Sequence, residues 1–207
     1  MTQPVDPPHP SAPHVDPDTF AAREGQRTRA DRLSGLIIAL IMLAALGLAG
    51  QRIWMVATGP LPPGPGVPSP TFTALTPQGA SIGLQDRRGE VVLVDFWATW
   101  CPPCVASMPG LDRLHREFKN QGFTVLGVNQ EPGQDATVAA FMRRKNLSFE
   151  TVMDPGTIAR AWGVYSFPTS FLIGRDGKIR QLYRGPASEA RLRHDIEDAL
   201  KDTTQPS

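Results

Sequence analysis

Apolar and polar positions along this chain fall into stretches of different kinds. Met1 to Pro17 has no apolar periodicity and interleaves Pro4, Pro7, Pro8, Pro10, Pro13 and Pro17 with Asp6, His9, His14 and Asp16. Such a segment has nothing with which to offset the entropy of ordering, so residues 1–32 are expected to form a disordered tail, with both histidines solvated. From Leu33 to Gly50 the sequence is uncharged and rich in Leu, Ile and Ala. As a helix rising about 1.5 Å per residue it nearly spans a hydrocarbon core of about 30 Å. Continuation through Arg52, Trp54 and Val56 completes a transmembrane anchor over residues 33–56, with Trp54 at the interface and Arg52 snorkelling. Residues 57–70 follow as a linker, whose Pro60 to Pro70 stretch has polyproline II character softened by Gly64 and Gly66. The remainder, 71–207, alternates strand-length apolar runs with helical periodicity.

Within that domain the run Val91 to Trp97 is apolar and β-branched, as expected of a central strand buried on both faces. A short hairpin is expected before it, Phe72 to Leu75 and Ala80 to Leu84 about a Thr76-Pro77-Gln78-Gly79 turn, with a polar connection from Gln85 to Glu90. Met108, Leu111, Leu114 and Phe118 then mark one face of a helix from about Cys101 to Asn120, in which Pro109 predicts a kink. Phe123 to Val128 reads as a second strand, so a right-handed parallel crossover is expected. Asp135 to Lys145 reads as a helix, Phe149 to Met153 as a strand and Thr157 to Trp162 as a short helix. Thr169 to Ile173 and Lys178 to Tyr183 form a hairpin about Asp176-Gly177, and a final helix over Ser188 to Lys201 has Ser188 as its N-cap. The fold class is therefore α/β, a mixed central sheet flanked by helices.

Charge changes the picture at one point. Arg23, Arg27, Arg29 and Arg32 precede the apolar run, whereas Arg52 is the basic residue close behind it. The positive-inside rule places the N-terminus in the cytoplasm and the domain outside it. A cleavable signal peptide ending near Gly47-Leu48-Ala49 is the competing reading, and it exports the same domain. Over the 207 residues, 21 lysines and arginines face 20 aspartates and glutamates, which gives no electrostatic reason to expect nucleic acid as a partner.

The two cysteines of the chain are Cys101 and Cys104. They are too few for a Cys-only zinc site or a multi-bridge scaffold. Haem attachment wants His after the second cysteine, where Val105 stands, and His115 and His194 lack ligand-like spacing. What remains is thiol–disulfide exchange, which needs a thiolate. A helix N-terminus aims unsatisfied N–H groups and a positive dipole end at Cys101, and the two-residue spacer brings Cys104 within one turn. Cys101 is thus expected to be the exposed attacking thiol and Cys104 the buried resolving one. Pro102 and Pro103 suit early helical positions, which need no N–H partner. Asp95, set among Val, Leu, Phe and Trp, is costly unless protonated or partnered, so its pKa should be raised; strand alternation leaves open that it faces water.

The segment Val94-Asp95-Phe96-Trp97-Ala98-Thr99-Trp100-Cys101-Pro102-Pro103-Cys104 resembles the active-site segment of thioredoxin-fold proteins. Tyr165-Ser166-Phe167-Pro168-Thr169 is similar to that fold's cis-proline segment. With the hairpin, the helix–strand insertion and the anchor, roughly Pro70 to Leu200 resembles the TlpA/ResA-type thiol–disulfide oxidoreductases. The resemblance implies a thioredoxin-like fold and a cis Pro168 facing the disulfide. It also implies a groove in which Trp100, Pro102, Pro103, Phe167 and Thr169 meet a client strand, and an Asp95 that accepts the proton of Cys104. Some relatives carry a glutamate where Ser107 stands, which shifts acid–base work onto Asp95. Glu131 reads as a surface loop acid, with lining of the same groove as its alternative.

These readings describe a membrane-tethered extracytoplasmic reductase that needs no cofactor. It would take electrons from a membrane thiol donor and pass them to disulfides of exported client proteins, such as the cysteines of apocytochromes c or of copper sites. A peroxiredoxin-like peroxidase is a second reading, although its Pro-x-x-x-Thr-x-x-Cys motif is absent; a Cu(I)-delivery module is a third, for which Met108 is better explained as core.

Overall fold

The computed structural model describes residues 34–50 and 61–202. The chain divides into two units between Thr58 and Gly59. In the first, residues 34–50 form helix α1, about 25 Å long, with Leu36, Ile37, Leu40 and Leu43 exposed. Among the described residues no helix is long and apolar enough to cross a membrane. Both ends of the span expected from sequence, Leu33 and residues 51–56, lie outside the described residues, as does the 1–32 tail.

The second unit starts with an antiparallel hairpin of β1 (Thr73–Leu75) and β2 (Ser81–Gly83). The Thr76 hydroxyl oxygen accepts from the N–H groups of Gln78 and Ala80 within its turn. The polar connection contains a 3-10 turn, Leu84–Arg87, entered where the Gly83 N–H donates to Asp86 Oδ2 at 3.0 Å. There follow β3 (Val91–Trp97), α2 (Pro102–Phe118), β4 (Phe123–Asn129), α3 (Asp135–Arg144), β5 (Glu150–Met153), α4 (Ile158–Ala161), β6 (Thr169–Ile173), β7 (Ile179–Arg184) and α5 (Glu189–Lys201). Pro109 sits inside α2 without interrupting it. The Ser188 hydroxyl caps α5 by accepting from the Arg191 N–H.

The five longer strands form one sheet in the order β5-β4-β3-β6-β7. β3, β4 and β5 are parallel, and β6 and β7 return antiparallel. This is a thioredoxin-like fold with an added N-terminal hairpin. Every residue of β3 is buried, because both faces of the sheet are covered. On one face Val91, Leu93 and Trp97 join Cys104, Met108, Leu111 and Leu114 of α2 and Ile196 of α5. On the other, Val92, Val94 and Phe96 join Phe72 of the hairpin, Ile158 of α4 and Trp162. Gly127 marks a close approach: a Cβ there would lie 2.7 Å from Trp97 Nε1, whose N–H crosses it to donate to Thr151 Oγ1 at 3.0 Å.

The Pro/Gly-rich segment is held at its end. The Gly66 N–H donates to the Ile179 carbonyl at 2.8 Å, the Ile179 N–H to the Val67 carbonyl at 2.9 Å and the Ser69 N–H to the Gly177 carbonyl at 3.0 Å. These bonds satisfy backbone groups at the free edge of β7, which a sheet edge otherwise leaves open.

Candidate active site

β3 ends at Trp97, and Ala98, Thr99 and Trp100 carry the chain to Cys101, the N-cap of α2 with extended backbone (φ −96°, ψ 99°). Pro102 and Pro103 occupy the first two helical positions, where their missing N–H groups cost nothing. The Cys104 N–H points back at Cys101 Sγ, 3.3 Å away. Cys101 and Cys104 are joined in a disulfide, with Cα atoms 5.3 Å apart.

One expectation is corrected here. Cys101 is only 4% exposed and Cys104 is fully buried. Cys101 is therefore nearly enclosed rather than exposed, because the disulfide ties its sulfur to a buried one and Val105 and Phe167 pack against the same apolar cluster.

Asp95 lies on β3 between Leu93 and Trp97, and period-two alternation points it to their face, the one covered by α2 and Cys104. It is 1% exposed, so it does not face water. Antiparallel register sets Asp95 opposite Ser170 on β6, whose hydroxyl donates to Asp95 Oδ1 at 2.6 Å. Oδ2 is buried without a hydrogen-bond partner among the described residues. Burial pushes the carboxyl pKa up to about 7, against the smaller opposing pull of the Ser170 hydrogen bond. A carboxyl with one satisfied and one open oxygen, titrating near neutrality, can hold or release a proton beneath the sheet-facing side of α2.

The Phe167–Pro168 peptide bond is cis. The Pro168 carbonyl accepts from the Gly185 N–H at 2.9 Å, and the Thr169 hydroxyl donates to the Ser166 carbonyl at 2.8 Å. Among the described residues no backbone partner is formed by Phe167. Trp100 is 63% exposed and stands edge-on to the Phe167 ring, centroids 6.1 Å apart. Trp100 is thus a surface residue resting on a half-buried Phe167, not part of the core. On the helical side, Pro103, Ala106, Ser107 and Gly110 face Pro186, Ala187 and Leu192 across a groove of about 420 Å³.

Ser107 donates its hydroxyl to the Cys104 carbonyl at 2.8 Å, a bond along the helix that brings no acid to the disulfide. His115 accepts the Val125 N–H on Nδ1 at 3.3 Å, and burial holds its pKa below the usual range.

Two neighbours of the site were placed only by the structure. Ser170 could be named only from the β3–β6 register. Glu131, expected at the surface, is half-buried and accepts from the Thr99 N–H at 2.6 Å, the Thr99 hydroxyl at 2.7 Å and Asn129 Nδ2 at 3.0 Å. The cue was present in the sequence as an acid two residues beyond the end of β4, the strand that pairs with β3.

Comparison with known proteins agrees with this arrangement. The AhpC/TSA family profile matches residues 65–182. A thiol-disulfide oxidoreductase ResA from Bacillus thuringiensis subsp. konkukian is 32% identical over 170 residues, 82% of this chain and 94% of that protein. The thiol-disulfide oxidoreductase ResA of Halalkalibacterium halodurans is 37% identical over 122 residues, 58% of this chain and 68% of that protein. Among solved structures, a thioredoxin-family thiol:disulfide interchange protein from Chlorobium tepidum TLS superposes with a TM-score of 0.61 at 28% identity, covering 66% of this chain and 97% of that one.

Proposed function

The chain belongs to the AhpC/TSA family and is a thiol–disulfide oxidoreductase of the ResA type, and from that premise we propose that Cys101 and Cys104 reduce disulfides of exported client proteins outside the cytoplasm. The observation that carries the reading is the Cys101–Cys104 pair at the N-terminus of α2, with the buried Asp95 on the sheet face that α2 covers and a cis Pro168 immediately before β6, the strand paired with β3. In the reduced protein, the Cys101 thiolate attacks one sulfur of a client disulfide and the other sulfur leaves as a thiolate. Cys104 then gives its proton to Asp95, and its thiolate attacks Cys101 Sγ in the mixed disulfide. The client departs as a dithiol and the Cys101–Cys104 bond is restored, so two electrons pass from protein to client.

The helix N-terminus favours the Cys101 anion. The open backbone of Phe167 suits an extended client strand, and Trp100 and Phe167, together with Pro102 and Pro103, form the walls against which that strand lies; Thr169, expected among them, is instead buried at 4% exposure. Regeneration draws on a membrane thiol donor. The apolar run from Leu33, with arginines before it, supports a single N-terminal anchor with the catalytic domain on the extracytoplasmic side. Cysteines of apocytochromes c or of copper sites are the client class proposed.

Trapping tests the reading directly. With Cys104→Ser in the full-length chain, mixed disulfides through Cys101 should accumulate on exported proteins and dissolve on reduction. Absence of any trapped species, together with wild-type insulin reduction by Cys101→Ser, overturns it.

A further inference from the structure

The strand β4 delivers more than a neighbour for β3. At its end the Gln130 N–H donates to the Trp97 carbonyl at 2.9 Å, which fastens the last residue of β3. Next to it the Glu131 carboxylate takes both polar groups of Thr99: Oε2 accepts the backbone N–H and Oε1 accepts the hydroxyl. The carboxylate is itself held. Asn129, fully buried, donates from Nδ2 to Glu131 Oε2 at 3.0 Å and accepts the Glu131 N–H on Oδ1 at 2.9 Å. Thr99 lies two residues before Cys101, and between them the chain has one further internal tie, the Cys101 N–H to the Ala98 carbonyl at 3.2 Å. A solvated surface acid has no need of three converging donors. This one spans 32 residues of sequence to grip the loop that carries a thiol.

We infer that Glu131 is a positioning residue: by gripping Thr99 it fixes Cys101 against Cys104 and so sets how readily their disulfide is reduced. The inference rests on the reading that this pair is the redox centre. Its physical basis is effective concentration. Two thiols held in bonding geometry close a disulfide more favourably than two on a mobile loop, and charge-assisted hydrogen bonds are the stronger kind with which to hold a loop.

The test equilibrates purified full-length protein with defined ratios of reduced and oxidised glutathione and reads the fraction of Cys101–Cys104 dithiol by thiol alkylation. In this exchange two glutathione thiols become one glutathione disulfide as the protein disulfide becomes a dithiol. Glu131→Ala should shift the equilibrium constant about tenfold toward the dithiol, which corresponds to about 30 mV. Glu131→Gln keeps an oxygen for the Thr99 N–H and Asn129 Nδ2 while its amide can donate to the Thr99 hydroxyl, so it should stay within about twofold of wild type. An unchanged constant in Glu131→Ala, even with lowered thermal stability, overturns the inference. So does a Glu131→Gln shift as large as that of Glu131→Ala, which would make charge rather than position the cause. If Glu131→Ala does not fold, Thr99→Val against Thr99→Ser decides: only the valine variant should shift, and a wild-type constant in both overturns the inference. Failure of the wild-type pair to titrate at all would instead sink the functional reading.

Discussion

Asp95 and Glu131 are two carboxylates near the disulfide, one within β3 on the face covered by α2 and one in the loop just after β4, and the fold treats them oppositely. Asp95 is fully buried, with one donor on Oδ1 and, among the described residues, none on Oδ2. Glu131 is half-buried, with donors on both oxygens and a reciprocal bond to Asn129. Burial without enough donors makes a carboxyl that exchanges protons near neutral pH; donors in excess make a fixed strut. The same side-chain chemistry thus supplies a titrating group in one place and a mechanical one in the other.

Removing the charge of Asp95 should have the largest effect on this contrast. Between about pH 3.8 and 7 the folded protein keeps the Asp95 proton while the unfolded chain gives it up. The native state then binds more protons, so stability falls as pH rises through this window. Asp95→Asn should abolish that slope, gaining on the order of 4 kcal/mol over wild type above pH 7 and little near pH 4 in urea unfolding. Turnover of a disulfide substrate at pH 7 should fall about a hundredfold. Equal stability of the two proteins at pH 8 would mean that the carboxylate is hydrated.

On the strut side, Asn129→Ala deletes both bonds that hold Glu131 from below. It should cost about 2 kcal/mol in chemical denaturation at pH 7. A cost below about 0.5 kcal/mol would mean that these bonds hold nothing and would dissolve the contrast.

Ser170→Ala removes the donor on Asp95 Oδ1. Its cost should be about 1 kcal/mol at pH 8, where the carboxylate is charged, and close to zero at pH 5, where it holds its proton. The ionisation seen in the pH–rate profile should move to higher pH, since the hydrogen bond favours the charged form.

Trp100→Ala sharpens the comparison from outside, because Trp100 touches neither carboxylate. Stability should change by less than about 0.5 kcal/mol. KM for a protein client should rise with kcat nearly kept, the signature of lost uniform binding.

How much of this was legible before folding differs by residue. β3 and β6 occupy the stretches that β-branched runs between turn residues mark out. The helix start was legible because two consecutive prolines, Pro102 and Pro103, suit the first turn, where no N–H partner is needed. Cis Pro168 and the role of Asp95 came through resemblance, since a Phe-Pro pair has the same local sequence in either isomer. Alternation could not choose a face for Asp95: with both sides of β3 covered, the run carries no polar side to contrast with the apolar one. The enclosure of Cys101 was equally hidden, because it depends on Phe167 arriving from another segment.

Local sequence was enough for the disulfide's address, at the end of a buried strand and the mouth of a proline-capped helix, because strand period and helix start are short-range properties. The two partners that tune that address came from register and packing. Ser170 reaches Asp95 across 75 residues and Glu131 reaches Thr99 across 32. A serine and a glutamate have many equally good partners until the sheet aligns its strands. Once it does, hydrogen-bond geometry admits these.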